Sequence, residues 1–493
     1  MIVYPTYPGG HAAYRNFVVE QLRKHYPEAN SLPDRVLKIA ERFWNKDLTG
    51  VDTLMRDCYS KFGPRPRPAS CMLRSYLLSI AVNHPAITEW VEQLRLVPAY
   101  AIISGFEPGD TPGVGTFYDF FSRLWQFNED NLSPHEHPPK SKVKKPEKKG
   151  EKAVSVEKLT VDQLLSQLQT EPPSQEQPFS LLFKAFEKLF LEESVQRGLI
   201  DPGALALSGD GTPVVTSAQQ RKHRLCNCRE LGITDCECDR YYSQPDCDIG
   251  WDSHRGCFYH GYDLYLLTAS DSVNDLPLFP LLNPASRHDS LGFLQCFFTM
   301  KSFLPDLQIS KLLLDSAHDA MPLYEYCRKE GITPFIDLND KRGTKLKYKD
   351  DFSIGPDGVP ICRAGLKMRH DGIEYAKYRA KYRCPLMNRT SRLCSCAEPC
   401  SDSKFGRTVH LVRKDNPRLI NIPPRDAEQW KNEYKARTSS ERCNKRLKED
   451  LHLEDGHHRS TKMWYCRLYV SMMLLHLFAW EQPQVTGFAA ILW

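Results

Sequence analysis

The sequence has no long uninterrupted run of apolar residues. Its longest apolar stretch, Leu468 to Trp480, contains His476 and is shorter than the roughly 18 residues that a membrane-spanning helix requires, so it predicts a buried core helix. The first residues also lack the basic and then apolar pattern of a secretory signal. Together these absences predict a cytoplasmic protein that has no membrane partner.

Cysteine is too scarce for a disulfide-stapled protein, with 17 residues in a chain of 493, against the roughly 8–10% of such scaffolds. The apolar fraction of 41% and the charged fraction of 26% exclude a wholly disordered or fibrous chain. Internal repeats are absent as well. At about 150 residues per domain, the length predicts two to four folded domains.

The net charge of +5 conceals segments of very different charge. Residues 138–152 hold seven Lys against two Glu, and residues 340–448 hold 27 Lys and Arg against 13 Asp and Glu. The second segment therefore has a net charge of +14, and the rest of the chain is acidic on balance. Such segregation fits a face that follows a phosphate backbone, although a solvated basic surface has the same composition.

Composition and periodicity divide the chain into five parts. Residues 1–130 predict a helical N-terminal domain that binds DNA, and residues 131–177 read as a low-complexity Lys/Pro linker. Residues 178–340 alternate apolar runs with helical segments, which is typical of an α/β domain. A basic, cysteine-rich insertion follows at 341–424, and residues 425–493 predict a long charged helix and an apolar closing helix.

Two groups of cysteines have spacings compatible with tetrahedral Zn²⁺. One group lies in the α/β domain and the other in the basic insertion. The groups are Cys226, Cys228, Cys236 and Cys238, and Cys384, Cys394, Cys396 and Cys400. Without a secretory signal, each group is expected either to bind a structural zinc ion or to stay reduced without metal.

Two aspartates follow apolar runs that predict buried strands. Asp210 follows residues 204–208, and Asp315 follows residues 309–314. The ends of strands in α/β sheets commonly carry catalytic side chains, although an aspartate in that position also caps turns. The two aspartates alone therefore leave both interpretations open.

A third carboxylate lies on the charged helix, which is predicted from Ala427 to about Leu451. Four polar residues of this helix fall within roughly 60° of one another at about 100° per residue: Tyr434, Arg437, Glu441 and Lys448. The stripe is either a solvated face with ion pairs or a site that combines a carboxylate with phosphate-binding cations. With Asp210 and Asp315, Glu441 completes three hard oxygen ligands that can hold two Mg²⁺ ions for phosphoryl transfer.

The spacing Tyr, two residues, Arg, three residues, Glu, six residues, Lys resembles the signature around the catalytic glutamate of DDE transposases from bacterial insertion sequences. Asp210 in ALALSGDGTPVVT is similar to the first aspartate of that family, and Asp315 in SKLLLDSAHDA is similar to the second. Asp319 competes for the second role, but only Asp315 stands at a strand end. The strand at 258–265 and the helical residues 71–125 also resemble the family.

The resemblance implies an α/β fold, with a ribonuclease-H-like mixed sheet flanked by helices, a helical N-terminal domain and a basic insertion before the catalytic helix. It implies an enzyme that cuts DNA at the ends of its own element and joins the freed 3′ hydroxyl to target DNA. The three carboxylates would hold two Mg²⁺ ions, for which Mn²⁺ substitutes. Double-stranded DNA would be the partner of a homodimer or larger assembly associated with the nucleoid.

The same resemblance gives roles to the other residues of the helical stripe. Arg437 and Lys448 would contact DNA near the cut. Tyr434 would contact DNA or orient the glutamate, or would pack at the edge of the core. Two other functions stay open: a nuclease of similar fold that cuts without joining, and a DNA-binding regulator derived from a transposase. The intact set of three carboxylates argues against the regulator.

Overall fold

The structure is a computed structural model. It describes residues 6–28, 31–126, 159–216, 220–224, 226–235, 240–242, 244, 247–339, 346–349, 352–388, 390, 395–397, 399–456, 458–480 and 485–493. Within these ranges, none of the helices combines the length and the apolar character that a membrane crossing demands.

The N-terminal part of the described chain is helical. Its α-helices are α1 (Gly10–His25), α2 (Asp34–Asn45), α3 (Gly50–Leu54), α4 (Ala69–Ala81), α5 (Ile87–Leu96), α6 (Pro98–Ser104) and α7 (Val114–Leu124). Helix α4 is buried from Ala69 to Ile80, because apolar or small side chains lie on most of its faces. Helix α7 instead buries one face, through Phe117, Phe120 and Phe121.

A second set of short helices leads into the strands of the main sheet. These elements are α8 (Val161–Thr170), α9 (Ser180–Phe186), α10 (Glu192–Gln196), β1 (Leu205–Val215), β2 (Gln220–Arg224), β3 (Arg240–Tyr242), β4 (Asp248–Asp252), β5 (Cys257–Ala269), β6 (Leu276–Pro284), β7 (Ile309–Leu314) and β8 (Thr333–Ile336). The sheet has the order β4-β5-β1-β7-β8, with β6 also paired to β5. Strands β1, β7 and β8 are parallel, whereas β4, β5 and β6 are antiparallel to their partners.

Strands β1 and β5 approach each other most closely at Gly261. A Cβ at this position would lie 1.9 Å from the carbonyl oxygen of Val214, so the pairing requires glycine. The next residue, Tyr262, is fully buried, and its hydroxyl is hydrogen-bonded to Thr461 at 2.8 Å. The Gly-Tyr pair of this strand therefore serves close strand packing and an anchor to a later helix.

Helices flank the sheet on both faces. Those that follow the first strands are α11 (Asp289–Phe303), α12 (Met321–Lys329), α13 (Glu428–Tyr434), α14 (Thr438–Lys445), α15 (Thr461–Trp480) and α16 (Val485–Leu492). Tyr265 of β5 packs on Phe293 of α11, whereas Asp210, which pairs with Leu266, contacts Asn444 of α14. Because neighbouring strand residues point to opposite faces, α11 and α14 lie on opposite sides. The mixed sheet flanked by helices confirms the predicted fold class.

One apolar core joins the N-terminal helices to the sheet. It contains Tyr14, Phe121, Leu267 and Leu474 in a single cluster of buried side chains. Helix α15 runs through this core and is buried on nearly all sides from Thr461 to Leu477. The apolar closing helix predicted from the sequence therefore acts as a shared support for both parts.

The basic insertion forms two small antiparallel sheets with their own apolar cluster. Their strands are β9 (Leu346–Lys349), β10 (Phe352–Ile354), β11 (Pro360–Cys362), β12 (Arg369–Glu374), β13 (Arg379–Arg383) and β14 (Thr408–Val412). The sheet orders are β11-β10-β9 and β12-β13-β14. Ile354, Tyr382 and Leu411 lie in the separate cluster. The insertion is thus a folded unit and not a loop.

Buried arginines fasten the insertion to the main sheet. Arg418 donates to both carboxylate oxygens of Asp319, at 2.9 and 2.6 Å. Arg425 Nε donates to the carbonyl oxygen of Ile336 at 3.1 Å, and Arg413 Nη2 donates to that of Ile332 at 3.1 Å. These contacts hold the insertion against the end of β8.

Two elements differ from their predicted bounds. The strand predicted at 204–208 continues to Val215, because β5 pairs with it along its whole length; Asp210 therefore lies within β1 and not after it. The predicted helix of 427–451 is divided by a 3₁₀ turn at Lys435–Arg437 and ends in a π-helical turn at Arg446–Asp450. Lys448 lies in this wider turn, so its angular position departs from that of a regular helix.

Candidate active site

The first two carboxylates occupy equivalent positions on neighbouring parallel strands. Ser208 of β1 pairs with Leu313 of β7, and two residues farther along each strand come Asp210 and Asp315. Beyond Ser208, β1 keeps only its antiparallel partner β5, so Asp210 stands where the parallel pairing ends. An even step along a strand preserves the face. The fold therefore brings both acids to one end of the sheet, as the sequence predicts.

The third carboxylate is brought to the same place by helix α14. This helix lies against β1 and β5 through Cys443, and the π-helical turn that follows buries Leu447; both side chains are fully buried. Glu441 and Asp210 line one cleft of about 660 Å³. Apolar packing of one helical stripe therefore sets the position of the adjoining polar stripe.

The electrostatics of Asp210 show that the three acids act on one another. Burial, together with repulsion from Asp315 and then Glu441, raises the pKa of Asp210 to about 6, against the opposing effect of Arg437. Like charges at close range disfavour the ionised form. A cation bound beside Asp210 would offset this repulsion.

Asp315 is held by a histidine that sequence reasoning missed. His318 Nδ1 donates to Asp315 Oδ1 at 2.6 Å, and His318 Nε2 is hydrogen-bonded to the Tyr265 hydroxyl at 2.8 Å. The amide of Ala317 also donates to Asp315 Oδ1, at 3.0 Å. Burial would raise the pKa of Asp315, but its hydrogen bond and charge interaction with His318 hold that pKa below the ordinary value.

Glu441 is paired with the arginine one turn before it. Arg437 Nη2 lies 2.7 Å from Glu441 Oε1. The Arg437 side chain is 19% exposed, and the Glu441 side chain is 47% exposed, so this carboxylate can turn toward Asp210 if Arg437 takes another partner. The structure shows the ion pair, and the role of Glu441 in a metal site stays a prediction.

The other two residues of the helical stripe contact the protein backbone. Tyr434 stacks on Trp430 with ring centroids 4.6 Å apart, and its hydroxyl donates to the carbonyl oxygen of Leu314 at 3.3 Å. Lys448 Nζ donates to the carbonyl oxygen of Pro213, and burial lowers the pKa of Lys448. Tyr434 thus supports the strand end that carries Asp315, and the DNA contacts predicted for both residues stay predictions.

Asp319, the competitor of Asp315, is committed elsewhere. Its side chain is fully buried in a two-point pair with Arg418. It also accepts from the Tyr324 hydroxyl at 3.2 Å and from the amide of Asn339 at 2.8 Å. These contacts make Asp319 an anchor of the insertion.

Three further polar residues of the cleft were missed by sequence reasoning: Asp263, Asp289 and Asn444. The carboxylates of Asp263 and Asp289 meet over Gly211, each with an oxygen 3.0–3.3 Å from where a Gly211 Cβ would lie. Asp263 was concealed in an apolar strand and Asp289 at the start of a helix. Asn444 carries a readable signal, because at about 100° per residue it falls on the stripe of Arg437 and Glu441.

The donor set at this cleft fits a divalent cation. Asp210, Asp315 and Glu441 offer hard oxygen ligands, and within the described residues Asp263 Oδ2 and Asn444 Oδ1 are buried without a hydrogen-bond partner. No three His, Cys, Asp or Glu side chains of that part of the chain already converge on one metal-sized point. His318 and Arg437 each pair with one of the carboxylates, Asp315 and Glu441 respectively.

The predicted zinc ligands are only partly described. Cys236, Cys238 and Cys394 lie outside the described residues. Of the remaining five, Cys228 and Cys384 are buried, Cys226 and Cys396 are half-buried, and Cys400 is exposed. Zinc binding by the two groups stays a prediction.

Comparison with known families identifies the matched region. A family model described as a transposase DDE domain matches residues 210–477, which is more than half of the chain. The match begins at Asp210 and ends in α15, so it spans the three carboxylates and the insertion. Transposases of this kind bind DNA and generally use divalent metal ions. Neither a curated protein nor a solved structure matches the chain. The chain belongs to the family of proteins with a transposase DDE domain.

Proposed function

We propose that this protein is a metal-dependent transposase that cuts phosphodiesters at the ends of its DNA element and joins the 3′ hydroxyl to target DNA. The observation that supports this most directly is the placement of the acids. Asp210 lies in β1, Asp315 directly follows the parallel strand β7, and Glu441 lines the same cleft as Asp210 on a helix packed on β1. In-line phosphoryl transfer depends mainly on such positioning and on charge stabilisation.

Asp210, Asp315 and Glu441 would hold two Mg²⁺ ions, with Mn²⁺ as a substitute. Bound there, the ions would activate the nucleophile and stabilise the leaving oxygen. Arg437 and Lys448 would bind phosphates that flank the scissile one. His318 keeps Asp315 ionised and oriented, in the way that outer partners orient metal ligands.

The partner is double-stranded DNA, both at the element ends and at the target. The basic segment of residues 340–448 supplies the charge, and its folded insertion is fastened beside the cleft by Arg418 and Arg425. Because two DNA ends are joined, we propose a homodimer or larger assembly on DNA. Light scattering measures the molar mass of the purified protein–DNA complex and so tests this. A molar mass that corresponds to one protein chain bound to a pair of DNA ends contradicts it.

The function is tested with the full-length protein, Mg²⁺ and the DNA that flanks its gene. We expect cuts at defined ends and joined products from the wild type, and neither from Glu441→Gln. Glu428→Gln is the matched control, since Glu428 is an exposed residue at the start of α13. Its products should equal those of the wild type.

Two other results would redirect the proposal. Cut DNA without any joined species would indicate a nuclease. DNA that is bound but uncut, equally by the wild type and by Glu441→Gln, would indicate a regulator derived from a transposase. Cleavage by Glu441→Gln at the wild-type rate would exclude Glu441 as a metal ligand.

A further inference from the structure

Asn444 lies one helical turn beyond Glu441 and faces the same cleft. Its side chain is 5% exposed, and its Nδ2 lies 3.3 Å from Asp210 Oδ2. Its Oδ1 is buried without a hydrogen-bond partner within the described residues. Buried carbonyl oxygens are rarely left unpaired, so this oxygen calls for a ligand.

The chemistry of the neighbour sets the orientation of the amide. An ionised carboxylate only accepts hydrogen bonds, so the NH₂ group of Asn444 must face Asp210. The carbonyl oxygen is then the amide atom that does not contact Asp210, and Asn444 is among the residues that line the cleft. This assignment does not depend on distinguishing nitrogen from oxygen in the coordinates.

The backbone under Asn444 is held firmly. Arg442 of the same helix donates to both carboxylate oxygens of Asp275, at 2.7 and 2.6 Å. Arg446 Nη1 donates to the carbonyl oxygen of Asn274 at 2.6 Å. With buried Cys443 on the sheet side, these contacts fix the helix. A side chain on such a support is well suited to precise positioning.

A neutral ligand suits this place for electrostatic reasons. Asp210 already experiences repulsion from Asp315, Glu441 and Asp289, and Asp263 lies nearby on the other face of β1. Another carboxylate would add to this repulsion, whereas an amide supplies an oxygen without charge. Carbonyl oxygens of Asn side chains are accepted ligands of hard divalent cations.

We propose that Asn444 is a positioning residue of the phosphoryl-transfer site: its amide nitrogen orients Asp210 and its carbonyl oxygen is a neutral ligand for the divalent cation. The inference rests on the proposed function, since it assumes that a cation occupies the cleft. It adds a fourth residue to the three carboxylates that the sequence predicts. It also explains why a buried amide stands beside Asp210.

The test measures Mn²⁺ binding directly, by electron paramagnetic resonance of the full-length protein without DNA. Asn444→Leu and Asn444→Ser both remove the carbonyl oxygen, and we expect each to weaken Mn²⁺ binding about 10-fold or more. The matched control is Asn432→Leu, because Asn432 is exposed on α13 and bonds only Lys435 in the contacts that we describe. The control should bind Mn²⁺ like the wild type.

The melting temperature of Asn444→Asp, measured with and without Mn²⁺, distinguishes a metal ligand from an asparagine that has only a structural role. The new carboxylate repels Asp210, so the melting temperature should fall below that of the wild type without metal. Saturating Mn²⁺ should restore it, because a ligand oxygen is retained. A fall that Mn²⁺ leaves unchanged would contradict the role as ligand.

The remaining outcomes separate this inference from the proposed function. Wild-type Mn²⁺ affinity in Asn444→Leu and Asn444→Ser, with lost binding in Glu441→Gln, would overturn the role of Asn444 and leave the proposed function standing. If the wild type binds no Mn²⁺ and cuts no DNA, both proposals fail together.

Discussion

At the scale of single residues, Asp210 and Asp319 differ in whether the fold supplies a counter-charge. Asp210 has no basic side chain in direct contact in the hydrogen bonds described, and its pKa is raised to about 6. Asp319, by contrast, is neutralised by Arg418. A buried charge that the fold leaves uncompensated is more easily explained by a ligand than by stability.

Asp210→Asn should stabilise the protein when no divalent metal is present. Folding raises the pKa of Asp210 from 3.8 to about 6. Protonation of Asp210 therefore contributes to the free energy of unfolding, and this contribution is fully present below about pH 4 and is lost as the pH rises through about 6. At pH 7 the variant should gain up to about 3 kcal/mol, at about 1.4 kcal/mol per pKa unit.

Melting curves at pH 7 and at pH 4 measure this effect. The advantage of Asp210→Asn should largely disappear at pH 4, where folded Asp210 is protonated and is therefore uncharged like the asparagine. Mg²⁺ should raise the melting temperature of the wild type and not that of the variant. A variant that is less stable than the wild type at pH 7 would argue against the repulsion described here.

Asp315→Asn and Asp319→Asn should fail in different ways. Asp315 is partly exposed, so its amide variant should fold normally and lose DNA cleavage. Asp319→Asn leaves Arg418 buried without a counter-charge, which typically costs about 3–5 kcal/mol. Melting curves and DNA cleavage assays on both variants check this, and the reverse pattern would give Asp319 the catalytic role.

At the scale of elements, the helical segment that contains α14 has an apolar stripe and a polar stripe. Cys443 and Leu447 bury one stripe against the sheet, while Arg437, Glu441 and Asn444 occupy the other. The division of the helix at Lys435–Arg437 and Arg446–Asp450 gives it irregular turns on both sides of Glu441. The chemistry therefore depends on packing in the regular turn between them.

The two cysteine groups are elements whose stability should depend on metal. We propose that each holds one structural Zn²⁺, which replaces apolar packing in loop-rich parts of the chain. Elemental analysis of protein purified without added metal should find about two zinc ions per chain. Less than one zinc per chain would leave the cysteines as reduced thiols, and Cys226→Ser with Cys228→Ser should remove only one ion.

At the scale of the whole molecule, the main apolar core and the concentration of basic residues lie in different parts of the chain. One apolar core joins the N-terminal helices, the main sheet and α15, whereas the insertion has a core of its own. The basic residues concentrate in the segment that contains this insertion. The molecule thus combines one large support with an insertion that has its own apolar cluster and lies in the basic segment.

Affinity for DNA should therefore depend steeply on salt through the insertion. Each phosphate contact contributes a slope of about −0.9 in log K against log salt. Replacing the exposed Arg369 and Lys414 together by Gln should reduce this slope by up to about 2. Replacing Lys184 and Lys329, which are exposed outside the insertion, should leave it unchanged; equal effects of both pairs would contradict a dedicated basic face.

The sequence by itself determined the fold class and the family. Alternating apolar runs predicted the strands that carry Asp210 and Asp315, and helical spacing placed Glu441 beside Arg437. Such patterns are local, because the period of a strand or helix is written in consecutive residues. The segregation of charge was likewise readable, since it is a matter of composition.

Only the tertiary structure decided which side chains meet. Asn444 touches Asp210 across 234 residues of chain, and Arg418 reaches Asp319 across 99. Asp263 joins the cleft because Gly211 leaves room over β1. Asp210 proved to lie inside a longer strand, because its partner β5 comes later in the sequence. Contacts of this kind depend on how distant elements pack, and no local period encodes them.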